Sequence, residues 1–271
     1  NVPLFFKNYS KRFTGRICRQ ADIITAVSQG TLDGLFLKEN KLKYVLNNGF
    51  DKEDLNMISN NIENKSSNKL VFAYAGQLYK GKRDFSVLFE ALNDLILDKK
   101  IVKDNITVQY AGNNFNELIN QSLKYDMQNC LTNFGYVKRE ESLKLQLNCD
   151  ILLLASWNEL NSTGIITGKF LEYLMIGKPV VCIISGNVPN SELKNMMLKT
   201  NAGYCLEQAS ENDEYDNLKN YLLMQYENKV KGKKLVFSPD NNEISKYDYI
   251  NITKKLTDLY TEILKNKGLA G

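Results

Sequence analysis

From residue 70 to residue 207 short apolar runs alternate with helical patterns, and this alternation constrains the fold more than any other feature of the chain. LVFAYAG (70–76), ITVQYAG (106–112), CLTNFGYV (130–137), 151–155, 180–185 and AGYCLE (202–207) read as strands. Between them lie helix-period segments at 85–97, 115–127, 140–147, after Ile166, and at 190–199. Val-, Ile-, Leu- and Tyr-rich strands that each lead into a helix imply right-handed βαβ units and a parallel sheet covered on both faces. The predicted fold class is therefore α/β, a Rossmann-like doubly wound sheet. Ligands of such sheets bind beyond the carboxyl ends of the strands. Gly76, Gly112 and Gly135 and the loop after Ala155 all fall at such ends, so these four places are expected to meet in one crevice.

The richest stretch is DILLLASWNELNSTGIITGKFLEYLMIGKPVV, residues 150–181. It reads as a buried strand, a polar loop, a helix that Gly177 and Pro179 stop, and a second buried strand. Gly164, Thr167, Gly168 and Lys169 lie in the loop and first helical turn, and Glu172 sits one turn on. A helix start offers unpaired N–H groups to an anion, glycines allow close approach, and a lysine adds charge. A carboxylate one turn further in can accept from a diol such as ribose. Ile166, Phe170, Leu174 and Met175 are expected to pack on the sheet, leaving Gly168, Lys169 and Glu172 on a face open to a ligand. The bland alternative is a solvated Lys169–Glu172 ion pair at i,i+3 spacing.

Composition excludes several classes. With no histidine among 271 residues, Ser-His and Cys-His nucleophile systems and histidine metal sites are ruled out. No D-x-D pair is present to hold a metal on a diphosphate, so a metal-independent site is expected. Lys+Arg 35 against Asp+Glu 31 gives a net charge of +4, too mild to point to nucleic acid but compatible with peripheral contact with an anionic membrane. The five cysteines are scattered without a C-x-x-C pair, as expected of free thiols, several of them buried, in a reducing cytoplasm.

Outside the alternating region, residues 4–19 read as a helix and 23–27 as a strand. Ser28 is expected to cap a helix running to about residue 38, and 44–46 to form another strand. The polar stretch 59–69 is expected to be a linker or loop. The helix starting near Glu211 looks mostly polar, 238–249 irregular, and 252–265 amphipathic and helical.

These residues resemble the retaining glycosyltransferases of family 4 (group 1), which have the GT-B architecture of two Rossmann-like domains facing across a cleft. The resemblance runs from about Ala21 to the C-terminus. ADIITAVSQ and VLNNGFD resemble the last elements of an N-terminal domain and the connection to the second. FAYAGQLYKGKRD resembles the strand and loop that hold a donor diphosphate, FGYVKREESL the turn that meets the nucleobase, and TGKFLEYLMIGKPVV the donor-site helix. The resemblance implies that residues 1–52 are the tail of an acceptor-side domain with the interdomain connection, 53–244 the nucleotide-sugar-binding domain, and 245–271 a crossover helix. It further implies a longer protein whose N-terminal domain is a partner of this part.

On the same resemblance, Glu172 takes the place of the ribose-binding glutamate, and Lys82 or Arg83 that of the lysine on the diphosphate, with Gly76 before that loop. The main chain at Tyr136 and Val137 would meet the base, and the backbone near Thr167 and Gly168, with Lys169, the phosphates. Two positions depart from the pattern: Gln77 stands where an arginine is usual, and Gly164 where a second glutamate serves the donor sugar, with Glu159 or Asn161 as nearby substitutes. The implied activity is hexosyl transfer from a nucleotide diphosphate sugar, UDP- or GDP-linked with UDP favoured on frequency, to a glycan, lipid-linked or small-molecule acceptor. The donor is then a substrate and no cofactor is required. The implied place is the cytoplasm, at or near the inner face of the membrane. A non-catalytic transferase-like binding subunit and a nucleotide-sugar epimerase of the same architecture stay open as alternatives, whereas the cofactor-bearing lysine context of a phosphorylase is not seen.

Overall fold

The computed structural model describes residues 4–35, 42–58, 68–160, 162–210 and 214–266. Helix α1 (Leu4–Gln20) leads to a two-stranded parallel sheet of β1 (Ile23–Ala26) and β2 (Leu42–Val45), with α2 (Gln29–Asp33) between them. Six parallel strands build the main sheet: β3 (Leu70–Ala75), β4 (Ile106–Ala111), β5 (Leu131–Asn133), β6 (Ile151–Asn158), β7 (Val180–Gly186) and β8 (Gly203–Glu207). Their order is β5-β4-β3-β6-β7-β8. The chain thus starts in the middle of the sheet at β3, works outward to one edge, and returns to β6 to build the other half. The switch point lies between β3 and β6, where two neighbouring connections leave on opposite faces and open a crevice.

The connecting helices are α3 (Ser86–Leu97), α4 (Phe115–Leu123), α5 (Arg139–Asn148), α6 (Gly168–Ile176) and α7 (Glu192–Thr200). Strand side chains alternate between the two faces, and the core is correspondingly double. One layer gathers Phe72, Tyr74, Val108 and Tyr110 under α3 and α8 (Glu214–Val230). The other gathers Ala73, Leu152, Leu154 and Cys182 under α5, α6 and α7. Phe72, Val108, Leu152 and Leu154 are fully buried, as expected of strands covered on both sides.

Several sequence expectations are corrected. The helix capped by Ser28 ends at Asp33, although the cap itself forms, with Ser28 Oγ accepting from Thr31 N at 3.1 Å. Residues 36–41 and 59–67 lie outside the described residues, and so do Lys38 and most of the polar stretch at 59–69. Strand β5 has three residues, because the chain turns at Gly135 with φ +66°. Helix α4 stops at Leu123, ahead of a short 3-10 turn at Gln128–Cys130. Helix α8 is polar on average yet buries Leu218, Leu222 and Tyr226, one narrow stripe within a charged surface. The segment 238–249 contains helix α9 (Asn241–Ser245), capped by Asp240, before α10 (Tyr249–Asn266). All five cysteines are free; Cys130, Cys149 and Cys182 are buried and Cys18 and Cys205 half-buried. No helix among the described residues is long and apolar enough to cross a membrane.

Candidate functional site

At the carboxyl end of β3 the backbone continues the sheet ladder through glycine. Gly76 N donates to Ala111 O at 2.8 Å, and Gly112 N to Gly135 O at 2.7 Å, so three of the four expected places lie side by side. Two tyrosines support this rim from below. Tyr74 and Tyr110 stack with ring centroids 6.1 Å apart. Tyr74 Oη donates to Gln77 O at 2.8 Å and Tyr110 Oη to Gly76 O at 2.9 Å. Burial pushes the Tyr74 hydroxyl up to about 12, so it remains a donor at any physiological pH.

Above the rim opens a cavity of about 300 Å³ lined by Gly76, Gln77, Gly112, Asn113, Tyr136, Val137, Arg139, Ser142 and Lys169. The backbone favours glycine at position 76. Its φ is +149°, and a Cβ would come within 2.3 Å of the Cε and Nζ of Lys169, so that side chain would have to move aside. The lysine therefore lies directly across the glycine, its Nζ 5.7 Å from the Tyr74 ring centroid. Burial is the main cause that lowers its pKa below the usual 10.5; Glu172 raises it and Arg83 lowers it further. A cation desolvated in this way gains from an anion delivered beside it.

Helix α6 is more deeply set than its apolar face alone predicts. Phe170, Leu174 and Met175 are buried as expected and Ile166 packs beside them, but Leu171, Tyr173 and Ile176 are buried too. Thr167 caps the helix, and Gly177 closes it in the left-handed conformation at φ 71°. Gly168 is exposed with open space where a Cβ would stand, so a ligand can reach the backbone there, though neither Thr167 nor Gly168 lines the cavity.

Neither reading made of Glu172 from sequence matches its surroundings. It is not on an open face, and it makes no ion pair with Lys169. Its Oε2 accepts from Arg139 Nη1 at 2.8 Å and its Oε1 from Gln146 Nε2 at 2.7 Å, and the side chain is only 19% exposed. Arg139 Nη2 in turn pairs with Asp54. The carboxylate does not line the cavity itself; it is held there by Arg139, which does. Arg139, Gln146 and Asp54 were missed from sequence. A signal existed for two of them: Arg139, Ser142 and Gln146 recur at i, i+3 and i+7, a polar stripe on one face of α5.

The loop after β3 carries its two expected cations away from the cavity. Lys82 pairs with Glu159 at 3.1 Å and lies 4.9 Å from the Trp157 ring centroid. Arg83 Nη1 donates to Gln77 O at 2.8 Å, and its guanidinium covers the Tyr79 ring at 4.5 Å. Neither lines the cavity, so the cations on its wall are Lys169 and Arg139.

Gly164 does not belong to the start of α6 but packs, at φ +72°, against the start of α2. A Cβ there would meet Glu192 Oε1 and Ser28 Oγ at 2.9 Å and Gly30 Cα at 3.0 Å. A glutamate side chain has no room at this position, and Asn161 lies outside the described residues. The same Glu192 accepts from Gly30 N at 2.6 Å and Gln29 N at 2.9 Å, tying α7 to the start of α2. The loop after β6 thus faces α2 and Lys82 rather than the cavity, the one of the four expected places that does not join it. Among the described residues no cluster of three His, Cys, Asp or Glu side chains could hold a metal ion.

The sequence profile described as glycosyl transferases group 1 matches residues 58–231, more than half of the chain. The chain belongs to this family of glycosyltransferases. Solved structures agree on the fold. HepE from Anabaena, crystallised with UDP and glucose, superposes with a TM-score of 0.59 at 14% identity, covering 94% of this chain and 67% of that one. Sucrose-phosphate synthase from Thermosynechococcus elongatus gives 0.58 at 10% identity, covering 96% and 62%. WaaG, a glycosyltransferase of lipopolysaccharide biosynthesis, gives 0.52 at 12% identity, covering 91% and 62%. The chain therefore spans about two thirds or less of the length of these GT-B proteins. No curated protein matches its sequence.

Proposed function

We propose that this glycosyltransferase chain binds a nucleoside diphosphate sugar in the cavity over the ends of β3 and β4 and serves retaining transfer of a hexose to an acceptor. The observation that carries the reading is the cavity at the ends of β3 and β4, where Lys169 lies across Gly76 and Arg139, the partner of Glu172, lines the wall. In this reading the diphosphate lies over Gly76, where the absent side chain lets it approach, and Lys169 supplies the countercharge that the Gln77 position lacks. The ribose faces Glu172, and the base meets the main chain at Tyr136 and Val137. Gly168 and the cap at Thr167 leave the start of α6 open to a phosphate oxygen. Lys82 and Arg83 reach the phosphates only if their present partners release them.

Charge developing on the leaving diphosphate is stabilised by the cations already in place, and the leaving phosphate itself can take the acceptor proton. The reading therefore expects binding without a divalent ion. A UDP-sugar is favoured because HepE was crystallised with UDP and glucose. The acceptor class, glycan, lipid-linked or small molecule, is left open. Five free cysteines support a reducing compartment such as the cytoplasm. Calorimetric titration of UDP, GDP and ADP, each with and without a chelator, tests the proposal. Binding of one nucleotide that survives chelation supports it; loss of binding on chelation, restored by magnesium, would remove the metal-free site.

A second reading has one specific observation behind it. The space that a glutamate at position 164 would need is filled by Ser28, Gly30 and Glu192. That favours a subunit that binds nucleotide without catalysing transfer. Slow hydrolysis of a bound UDP-hexose, followed by release of free sugar, separates the two: a binding subunit releases none.

A further inference from the structure

Glu172 is held with unusual completeness for a carboxylate beside an open cavity. Gln146 is 1% exposed and gives its amide N–H to Glu172 Oε1 at 2.7 Å, with Ser142 Oγ at 3.1 Å from the same nitrogen. Its own Oε1 is buried and has no hydrogen-bond partner among the described residues. A flipped amide would place that oxygen against the carboxylate, so the orientation that leaves the carbonyl orphaned is the only one Glu172 accepts. On the other oxygen Arg139 donates at 2.8 Å, while its second amino group is taken by Asp54 on the segment that follows β2. A carboxylate oxygen has two lone-pair directions, so one on each oxygen stays unused by these two donors.

We propose that Arg139 and Gln146 are positioning residues that fix the Glu172 carboxylate for the vicinal diol of the donor ribose, with discrimination against a 2′-deoxyribose as its readout. The inference rests on the reading that the ribose faces Glu172. One fixed oxygen serves each hydroxyl, and loss of the 2′-hydroxyl strands an acceptor already committed to one rotamer. Asp54 holds Arg139 from the outer side and so belongs to the same chain of contacts.

The test compares UDP with 2′-deoxy-UDP by calorimetry on the full chain. The parent is expected to prefer UDP by about tenfold or more, the worth of one charge-assisted hydrogen bond. Glu172→Ala brings the ratio close to one. Gln146→Leu and Arg139→Met lower the ratio at least about threefold, through weaker UDP binding, and leave 2′-deoxy-UDP affinity nearly unchanged. Asp54→Asn, one contact further from Glu172, lowers it less, and it carries the test with Arg139→Met if Gln146→Leu does not fold. A ratio that collapses in Glu172→Ala but stays at the parent value in the Arg139, Gln146 and Asp54 variants overturns the positioning role. A ratio independent of Glu172, or no binding of either compound, overturns the ribose reading and the inference with it.

Discussion

Two charged clusters stand at the carboxyl end of this sheet, and they differ in kind. Around the cavity, Glu172 is 19% exposed and held by Arg139 and Gln146, while Lys169 is partly desolvated with its amine packed over Gly76. On the rim, Lys82 and Glu159 are 40% and 41% exposed and pair with each other beside Trp157. From sequence both clusters qualify for the diphosphate, since both follow a strand and carry cations. The strand ends they occupy separate them. The inner cluster lies over the ends of β3 and β4 beside the first turn of α6, where a cavity opens, and the outer one ties the loop after β3 to the end of β6, where side chains satisfy one another. Lys82 already has its carboxylate in Glu159, whereas Lys169 has none within ion-pair distance among the described residues and is the better placed of the two to meet a diphosphate.

The largest effect that could break this contrast is at Glu172. In Glu172→Ala two charge-assisted bonds to the ribose are lost, with water replacing part of them, so nucleotide affinity should fall by roughly 2–4 kcal/mol, or roughly 30- to 1,000-fold. The buried Gln146 amide loses one of its two acceptors, keeping Ser142, so stability should drop by about 1 kcal/mol. Calorimetry and chemical denaturation check the two numbers, and unchanged affinity would return Glu172 to a structural role.

Gly76→Val comes next. The substitution forces a branched residue into φ +149° and drives Lys169 off the glycine, so stability should fall by roughly 1–3 kcal/mol. Affinity should fall by about tenfold as the cation moves. A variant that binds as the parent does would show that the ligand does not cross Gly76.

A smaller, pH-dependent effect sharpens the role of Lys169. Burial lowers its folded pKa below 10.5, so charging it opposes folding, and that penalty is present at low pH and fades as pH rises through the folded value. Binding has the opposite sign. A diphosphate favours the protonated amine, so affinity should weaken as pH rises through that lowered pKa, and Lys169→Arg should hold affinity across the same range. Affinity measured between neutral pH and pH 10 reads both limbs.

The least effect is expected on the rim. Lys82→Ala should cost less than about 1 kcal/mol of stability, as exposed pairs do, and less affinity than Glu172→Ala. If Lys82→Ala weakened nucleotide binding more than Glu172→Ala, the division into an inner binding cluster and an outer self-satisfied one would be wrong.

Much of this molecule was legible in its residues because periodicity reports directly on burial. The alternation of LVFAYAG and ITVQYAG with helical segments determined a parallel sheet, and Gly76, Gly112 and Gly135 marked where its strands end. Thr167 and Gly177 bounded α6, since a cap and a left-handed stop are local chemistry. What local chemistry does not contain is the pairing of side chains distant in sequence. Glu172 was expected beside Lys169, three residues away, and is held instead by Arg139 and Gln146 from another helix and, through Arg139, by Asp54. Lys82 turned to Glu159, and Gly164 proved to be a contact with Gly30 rather than part of a helix start. The sequence by itself determined which segments cross the sheet and where they stop, because each strand and cap is encoded within a few residues. Only the tertiary structure decided which charges face the cavity, because that depends on the packing of α5 against α6, and no spacing along the chain expresses it.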